Sequence, residues 1–221
     1  HGGPSIPNLD YGMALGVAKT YAKLYRMNLT KALELLTGDS DISDQVNTIL
    51  QKIAAEHNLT PTLIQDRRYI EIEQKYLMEY VENAEIIQKA HAFAASKAEA
   101  ETDRSTYQAM EAFVHNLNTM HSRAGAQIPF SSINYGMDTS PEGRMVIKNI
   151  LLATEAGLGN GETPVFPIHI FRVKEGINYN PGDPNYDLFK LACRVSAKRL
   201  FPNFSFLDAP FNLKYYKPGH P

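Results

Sequence analysis

Residues 123–172 limit what this chain can fold into more than any other stretch: RAGAQIPFSSINYGMDTSPEGRMVIKNILLATEAGLGNGETPVFPIHIFR. Residues 130–135 are short, apolar and rich in β-formers, and they end at Gly136, which reads as a strand. Ser140-Pro141-Glu142 then opens a helix. The serine can cap it, the proline sits where no N–H is needed, and the glutamate favours the positive end of the dipole. Met145, Ile147, Ile150, Leu151 and Leu152 form its apolar face, and Gly157 ends it. Residues 165–173 are a second apolar strand. Such a strand–helix–strand crossover requires two parallel strands in one sheet, with the helix over one face.

Around this unit, 221 residues are enough for one large domain or two small ones. A net charge of -2 and a pI of about 6.4 give no electrostatic case for a nucleic-acid polymer or an anionic membrane. No apolar run approaches the roughly 20 residues of a membrane span. One cysteine excludes an internal disulfide and argues against a cysteine-rich metal site. The expectation is a cytoplasmic protein. The ends, His1-Gly2-Gly3 and Pro218-Gly219-His220-Pro221, suggest a piece of something longer.

In chain order, residues 1–10 read as a loop. A helix follows over 13–25, basic at Lys19, Lys23 and Arg26, and continues over 29–36 until Thr37-Gly38-Asp39. Val46, Ile49, Leu50 and Ile53 mark a helix over 43–57, and residues 58–61 a turn. A long pattern over 66–100 puts Ile70, Leu77, Tyr80, Val81, Ala84 and Ile87 on one stripe. After a break at Glu101-Thr102-Asp103, a second stripe carries Met110, Phe113, Val114, Leu117 and Met120. The pair reads as antiparallel helices, packed within the chain or supplying a subunit interface. Beyond the crossover, 175–184 is a loop, Asp183 caps a helix reaching about Leu200, and 204–207 is a third strand. The composition shift near Arg123 divides a mainly helical region, 1–122, from an α/β region, 123–221.

Few residues advertise chemistry. Gly157-Leu158-Gly159-Asn160-Gly161 follows a helix, so it sits at the negative dipole end and reads as a cap and turn, not a phosphate loop. Ser131, Ser132 and Asn134 lie in or beyond the first strand, where parallel sheets gather their sites, and could bond a sugar or phosphate. A structural role for the serines is equally compatible with the sequence. The helix start at Ser140 could take a phosphate, although Glu142 opposes it. Cys193 reads as a small core residue. His115, His121 and His169 lack the spacing of a metal site. No catalytic constellation emerges from the residues alone.

The second half, however, resembles one family. RAGAQIPFSSINYG, GLGNGETPVFP and NPGDPNYDLFKLACRVSAKRLFPN are similar to segments of the large subunit of anaerobic, class III ribonucleoside-triphosphate reductase. The first half resembles it more loosely. The resemblance implies part of a ten-stranded α/β barrel of the glycyl-radical type, preceded by dimer and effector helices within one catalytic domain. It implies reduction of ribonucleotides to 2′-deoxyribonucleotides, with a glycyl radical oxidising a barrel cysteine and formate or a thiol system as reductant. A structural zinc and an activase using S-adenosylmethionine and an iron–sulfur cluster belong to the same picture. So do a homodimer and dNTP or ATP effectors. The family's radical cysteine, glycyl site and zinc ligands match no residue here, so no catalytic or metal residue carries over. Ser131, Ser132 and Asn134 are the expected substrate-pocket residues, and Lys19 and Lys23 the expected effector contacts. Two other readings are a pyruvate formate-lyase-like glycyl-radical enzyme and a non-catalytic helical interaction module.

Overall fold

The structure is a computed structural model. It describes residues 5–122, 132–159, 161–164 and 168–208, with the side chains of 119–122 left aside. The chain forms two compact units, His1–Ala14 with Thr106–Pro221, and Leu15–Ser105. Two long helices, α1 (Leu9–Thr37) and α4 (Ala84–Ser122), contribute residues to both.

The first unit is built on four parallel strands: β1 (Ser5–Ile6), β2 (Ser132–Tyr135), β3 (Ile168–Val173) and β4 (Asn203–Phe206). They lie side by side in chain order. Helix α5 (Pro141–Ala156) joins β2 to β3, and α6 (Tyr186–Arg199) joins β3 to β4. The crossover read from residues 123–172 is therefore present, with Ile133 beside His169 and Tyr135 beside Phe171. Residues 130, 131 and 165–167 of the two expected strands lie outside the described residues. Ser140 caps α5 as expected, its Oγ accepting from Gly143 N at 3.0 Å. Gly157 ends α5 at φ +80°.

Strand alternation divides the sheet into two faces. Ile133, Tyr135, His169, Phe171 and Val173 are buried. Phe171 meets Phe189 of α6 with ring centroids 6.2 Å apart and Phe204 of β4 at 6.0 Å. Leu188, Ala192 and Val195 of α6, with Val146, Ile147 and Ile150 of α5, complete this layer. The opposite face carries Ser132, Asn134, Ile170, Arg172 and Ser205, all half-buried.

Several sequence expectations need correction here. Residues 5–6 form a strand, not a loop. Two residues beside Pro7 show no periodicity, and their pairing exists only once β2 lies alongside. Helix α1 begins at Leu9, because Leu9 and Asp10 are both buried in the fold. Asp183 does not cap α6. Its Oδ2 instead accepts from the backbone N–H groups of Gly176, Tyr179 and Asn180, tying the preceding loop together. Leu200 is not on the apolar face either; it ends α6 in the left-handed conformation and is 84% exposed. Cys193 is exposed, because the buried stripe of α6 runs through Leu188, Ala192 and Val195 and leaves position 193 outside it.

The second unit packs α2 (Ile42–His57), α3 (Arg67–Val81) and parts of α1 and α4 around Tyr21, Tyr25, Leu29, Leu33, Val46, Ile53, Leu77 and Ile87. Ala90, Ala94 and Ala98 present small side chains one turn apart along α4, all fully buried. The expected break at residues 101–103 is absent: α4 runs straight through it. Thr102 Oγ1 turns back onto the Ala98 carbonyl at 2.6 Å, so its polar group is satisfied within the helix. The interruption falls earlier, at Glu82-Asn83. Glu82 closes α3 in the left-handed conformation, and Asn83 Oδ1 accepts from Ile86 N. The stripe is also differently placed, since Tyr69, Glu73 and Leu77 are the buried positions of α3 while Tyr80 is exposed.

Glu73 is a carboxylate buried in that helical core. Tyr25 donates to its Oε1 at 2.6 Å and Tyr69 to its Oε2 at 2.5 Å. Tyr25 has one proton and gives it to Glu73, so His91 Nδ1, 2.7 Å away, donates to the Tyr25 hydroxyl. Burial and the adjacent carboxylate push both tyrosines well above their ordinary range. Burial likewise pushes Tyr21 up to about 12.

Candidate functional site

In parallel α/β sheets, loops beyond the carboxyl ends of the strands build the site. Gly136 follows β2 at φ +119°. A Cβ there would lie 3.0 Å from the Arg172 carbonyl oxygen and 3.1 Å from the Phe171 ring, so glycine lets β2 end tight against β3.

Three side chains from three other segments then hold the Gly136–Asp138 backbone. Asp10, at the start of α1, accepts from Gly136 N and Asp138 N at 3.0 Å each, and from Tyr11 N at 3.1 Å. Burial raises its carboxyl above the ordinary range, while the three amides pull the other way. Asn178, after β3, donates to Gly136 O at 2.9 Å and Arg172 O at 2.8 Å, and accepts from Lys174 N. Asn185, ahead of α6, donates to Gly136 O at 3.1 Å and Asp138 O at 2.8 Å. Its Oδ1 accepts from Arg144 Nη1, and Arg144 is further paired with Asp187 at 2.7 Å. The connections after β1, β2 and β3 are thus joined into one polar lattice.

The start of α5 is not an anion site. Asp138 Oδ1 accepts from Ser140 N at 2.9 Å, and a Cβ on Gly143 would collide with the Asp138 carboxyl group. The buried carboxylate of Asp138 already fills the notch that a phosphate would need.

Of the expected substrate contacts, Ser131 lies outside the described residues, while Ser132 and Asn134 share one face of β2. Asn134 Oδ1 is buried and has no hydrogen-bond partner among the described residues. A buried amide oxygen without a donor is costly, so this atom is suited to a ligand hydroxyl or N–H. Arg172, two residues beyond Ile170 on β3, projects on the same face, and Ile170 pairs with Asn134. The expected effector lysines, Lys19 and Lys23, are exposed one turn apart on α1, within the second unit.

A cavity of about 480 Å³ lies elsewhere, between the last turns of α4 and residues Ala153–Gly159, with Glu111, His115 and Asn116 on its wall. A crossover helix runs antiparallel to its strands, so this hollow faces their amino ends, the side that serves stability in such folds. His169 is fully buried under the covered face. Its Nδ1 is 2.9 Å from the Tyr135 hydroxyl, its Nε2 has no partner among the described residues, and burial lowers its pKa to about 3. It stays neutral and belongs to the core.

A parallel sheet clad by helices on one face, polar on the other and locked at its carboxyl rim defines an α/β scaffold. Sequence comparison makes the assignment specific. The profile of the anaerobic ribonucleoside-triphosphate reductase family matches residues 1–220, and the chain belongs to that family. The anaerobic ribonucleoside-triphosphate reductase of Escherichia coli K12 is 38% identical over 107 residues, covering 48% of this chain and 15% of the relative. The enzyme of that name from Enterobacteria phage T4 is 38% identical over 125 residues, 56% of this chain and 20% of the relative. The chain therefore spans about a fifth or less of the curated relatives it matches.

Reasoning from sequence missed Asp10, Asn178, Asn185 and Arg172. The first three carry no motif, because their partners are backbone groups far along the chain. Arg172 had a signal: in IHIFRV it falls on the alternate set opposite His169, Phe171 and Val173.

Proposed function

We propose that this chain supplies part of the catalytic barrel of an anaerobic ribonucleoside-triphosphate reductase, and that the polar face of β1–β4 is a wall of its substrate chamber. The four parallel strands would be a segment of a ten-stranded glycyl-radical barrel. The observation that carries this reading is Asn134 Oδ1, buried without a donor among the described residues on the polar face of a parallel sheet. In the chamber it accepts from a ribose hydroxyl, and Ser132 adds a hydroxyl on the same face; Ser131 is proposed as a further substrate contact. The lattice around Gly136 keeps this wall from shifting as the sugar binds.

The radical machinery does not fit the residues present. The single cysteine is exposed on α6, away from the sheet's polar face. Among the described residues no three His, Cys, Asp or Glu side chains converge as metal ligands. Glycyl radical and zinc are assigned to other parts of the enzyme, and radical generation to a partner activase with S-adenosylmethionine and an iron–sulfur cluster. The reaction, exchange of the 2′-hydroxyl for hydrogen, is positioned by this chain and not initiated by it. Residues 1–122 would serve the homodimer and the dNTP or ATP effectors, with Lys19 and Lys23 against effector phosphates.

The test is deoxynucleotide formation by the intact, activated reductase under anoxia. Asn134→Ala should lower kcat/KM about 10-fold, the size of one lost hydrogen bond to a buried acceptor, and Ser132→Ala should lower it less. Unchanged kcat/KM in both variants would remove this face from the substrate chamber.

A further inference from the structure

The arginines of the first unit differ in how their charge is used. Arg144 is paired with Asp187 at 2.7 Å, and Arg194 with Glu155 at 2.7 Å. Arg199 spends its N–H groups on the carbonyls of Glu155 and Gly161 and on Thr163 Oγ1, capping the end of α5. Arg172 is the exception. It is half-buried, lies one residue from the carboxyl end of β3, and has no carboxylate partner among the described residues. Its guanidinium's one hydrogen bond among them is a long one, Nη1 to Asn8 Oδ1 at 3.3 Å.

That bond fixes where the guanidinium goes. Asn8 follows β1, and β2 separates β1 from β3. To reach Asn8, the Arg172 side chain must lie across the carboxyl end of β2 on the polar face that also carries Asn134. The acids at this rim are already committed: Asp10 to three backbone amides, and Asp138 to Ser140 N. Asn8 is neutral and uses one of five donors. A half-buried guanidinium whose remaining N–H groups meet no acceptor among the described residues, on the same face as a buried acceptor that also lacks a described partner, is suited to a ligand carrying an anion and a hydroxyl. Arginine's planar fork matches phosphate oxygens in a way that a lysine ammonium does not.

We propose that Arg172 is a substrate-binding residue that holds the phosphate end of the ribonucleotide while Asn134 takes a sugar hydroxyl. The inference rests on the polar face being the substrate wall. It adds that the charge selecting a nucleotide over a nucleoside is supplied from β3, and that Asn8 orients the guanidinium before substrate arrives.

The experiment measures a pyrimidine ribonucleoside triphosphate and its parent ribonucleoside on the intact reductase, with effector held saturating. For the triphosphate it reads KM and kcat; for the nucleoside, the inhibition constant. Arg172→Gln should raise the triphosphate KM about 10- to 100-fold, the span expected for lost charge-assisted hydrogen bonds. The nucleoside inhibition constant should stay within about 2-fold. Arg172→Lys should fall between, retaining charge and losing the fork, and it gives the same readout if the glutamine variant does not fold. Asn134→Ala should weaken triphosphate and nucleoside together. A triphosphate KM unchanged in both Arg172 variants, with Asn134→Ala impaired, would overturn the role of Arg172 and leave the substrate wall standing. Equal losses for triphosphate and nucleoside in Arg172→Lys would show a structural residue and overturn it too. If Asn134→Ala is also unimpaired, the wall itself fails.

Discussion

His169 gives the fold a pH signature on the acid side at the scale of a single residue. Tyr135 and Phe201 flank its ring, with centroids 5.7 and 5.3 Å away, and burial lowers its pKa from 6.5 to about 3. Between those values the unfolded imidazole binds a proton that the folded one refuses, so stability is lost as pH falls through that window. The slope from this group approaches about 1.4 kcal/mol per pH unit at most. Denaturation midpoints of wild type and His169→Gln, measured from pH 7 to pH 4, should converge as pH falls, because glutamine does not titrate. Parallel curves would mean that the ring is protonated in the fold.

Elements are held here by local chemistry that either obeys or defeats the pattern rules. The start of α5 obeys them: Ser-Pro-Glu announces a capped helix, and Ser140 does cap it. Gly143 shows what the pattern leaves out, since its missing Cβ makes room for Asp138. Gly143→Ala should destabilise the protein by about 1–3 kcal/mol through overpacking. The same change in an Asp138→Ala background should cost much less, which a double-mutant cycle of unfolding free energies would reveal. Additive effects would break the assignment. Helix α4 defeats the rules, because Glu101-Thr102-Asp103 reads as a break yet Thr102 bonds back to Ala98 and the helix continues.

For the whole molecule, the proposed division of labour places substrate on the sheet and effectors on the long helices. Lys19 and Lys23 are exposed on α1, so removing them should leave unfolding free energy within about 0.5 kcal/mol. If they meet effector phosphates, Lys19→Ala with Lys23→Ala should weaken dNTP binding to the intact reductase by about 10-fold or more. Calorimetry with each dNTP would check this, and unaltered isotherms would assign the effector elsewhere.

The amino-acid sequence by itself determined the crossover, the cap at Ser140, the turn at Gly157 and the family. These are properties of contiguous residues, where hydrophobic period, turn chemistry and motif identity act over a few positions. The tertiary structure alone decided that Ser5–Ile6 pairs with β2, that Asp10, Asn178 and Asn185 converge on Gly136, and that Glu73 lies buried under two tyrosines. It also set Arg172 across β2 with its charge unpaired by any described residue. Apart from the Tyr69–Glu73 bond within α3, each of these joins residues dozens to more than a hundred positions apart, and neither period nor propensity encodes such meetings. They follow from which faces pack and from the need of every buried polar group for a partner.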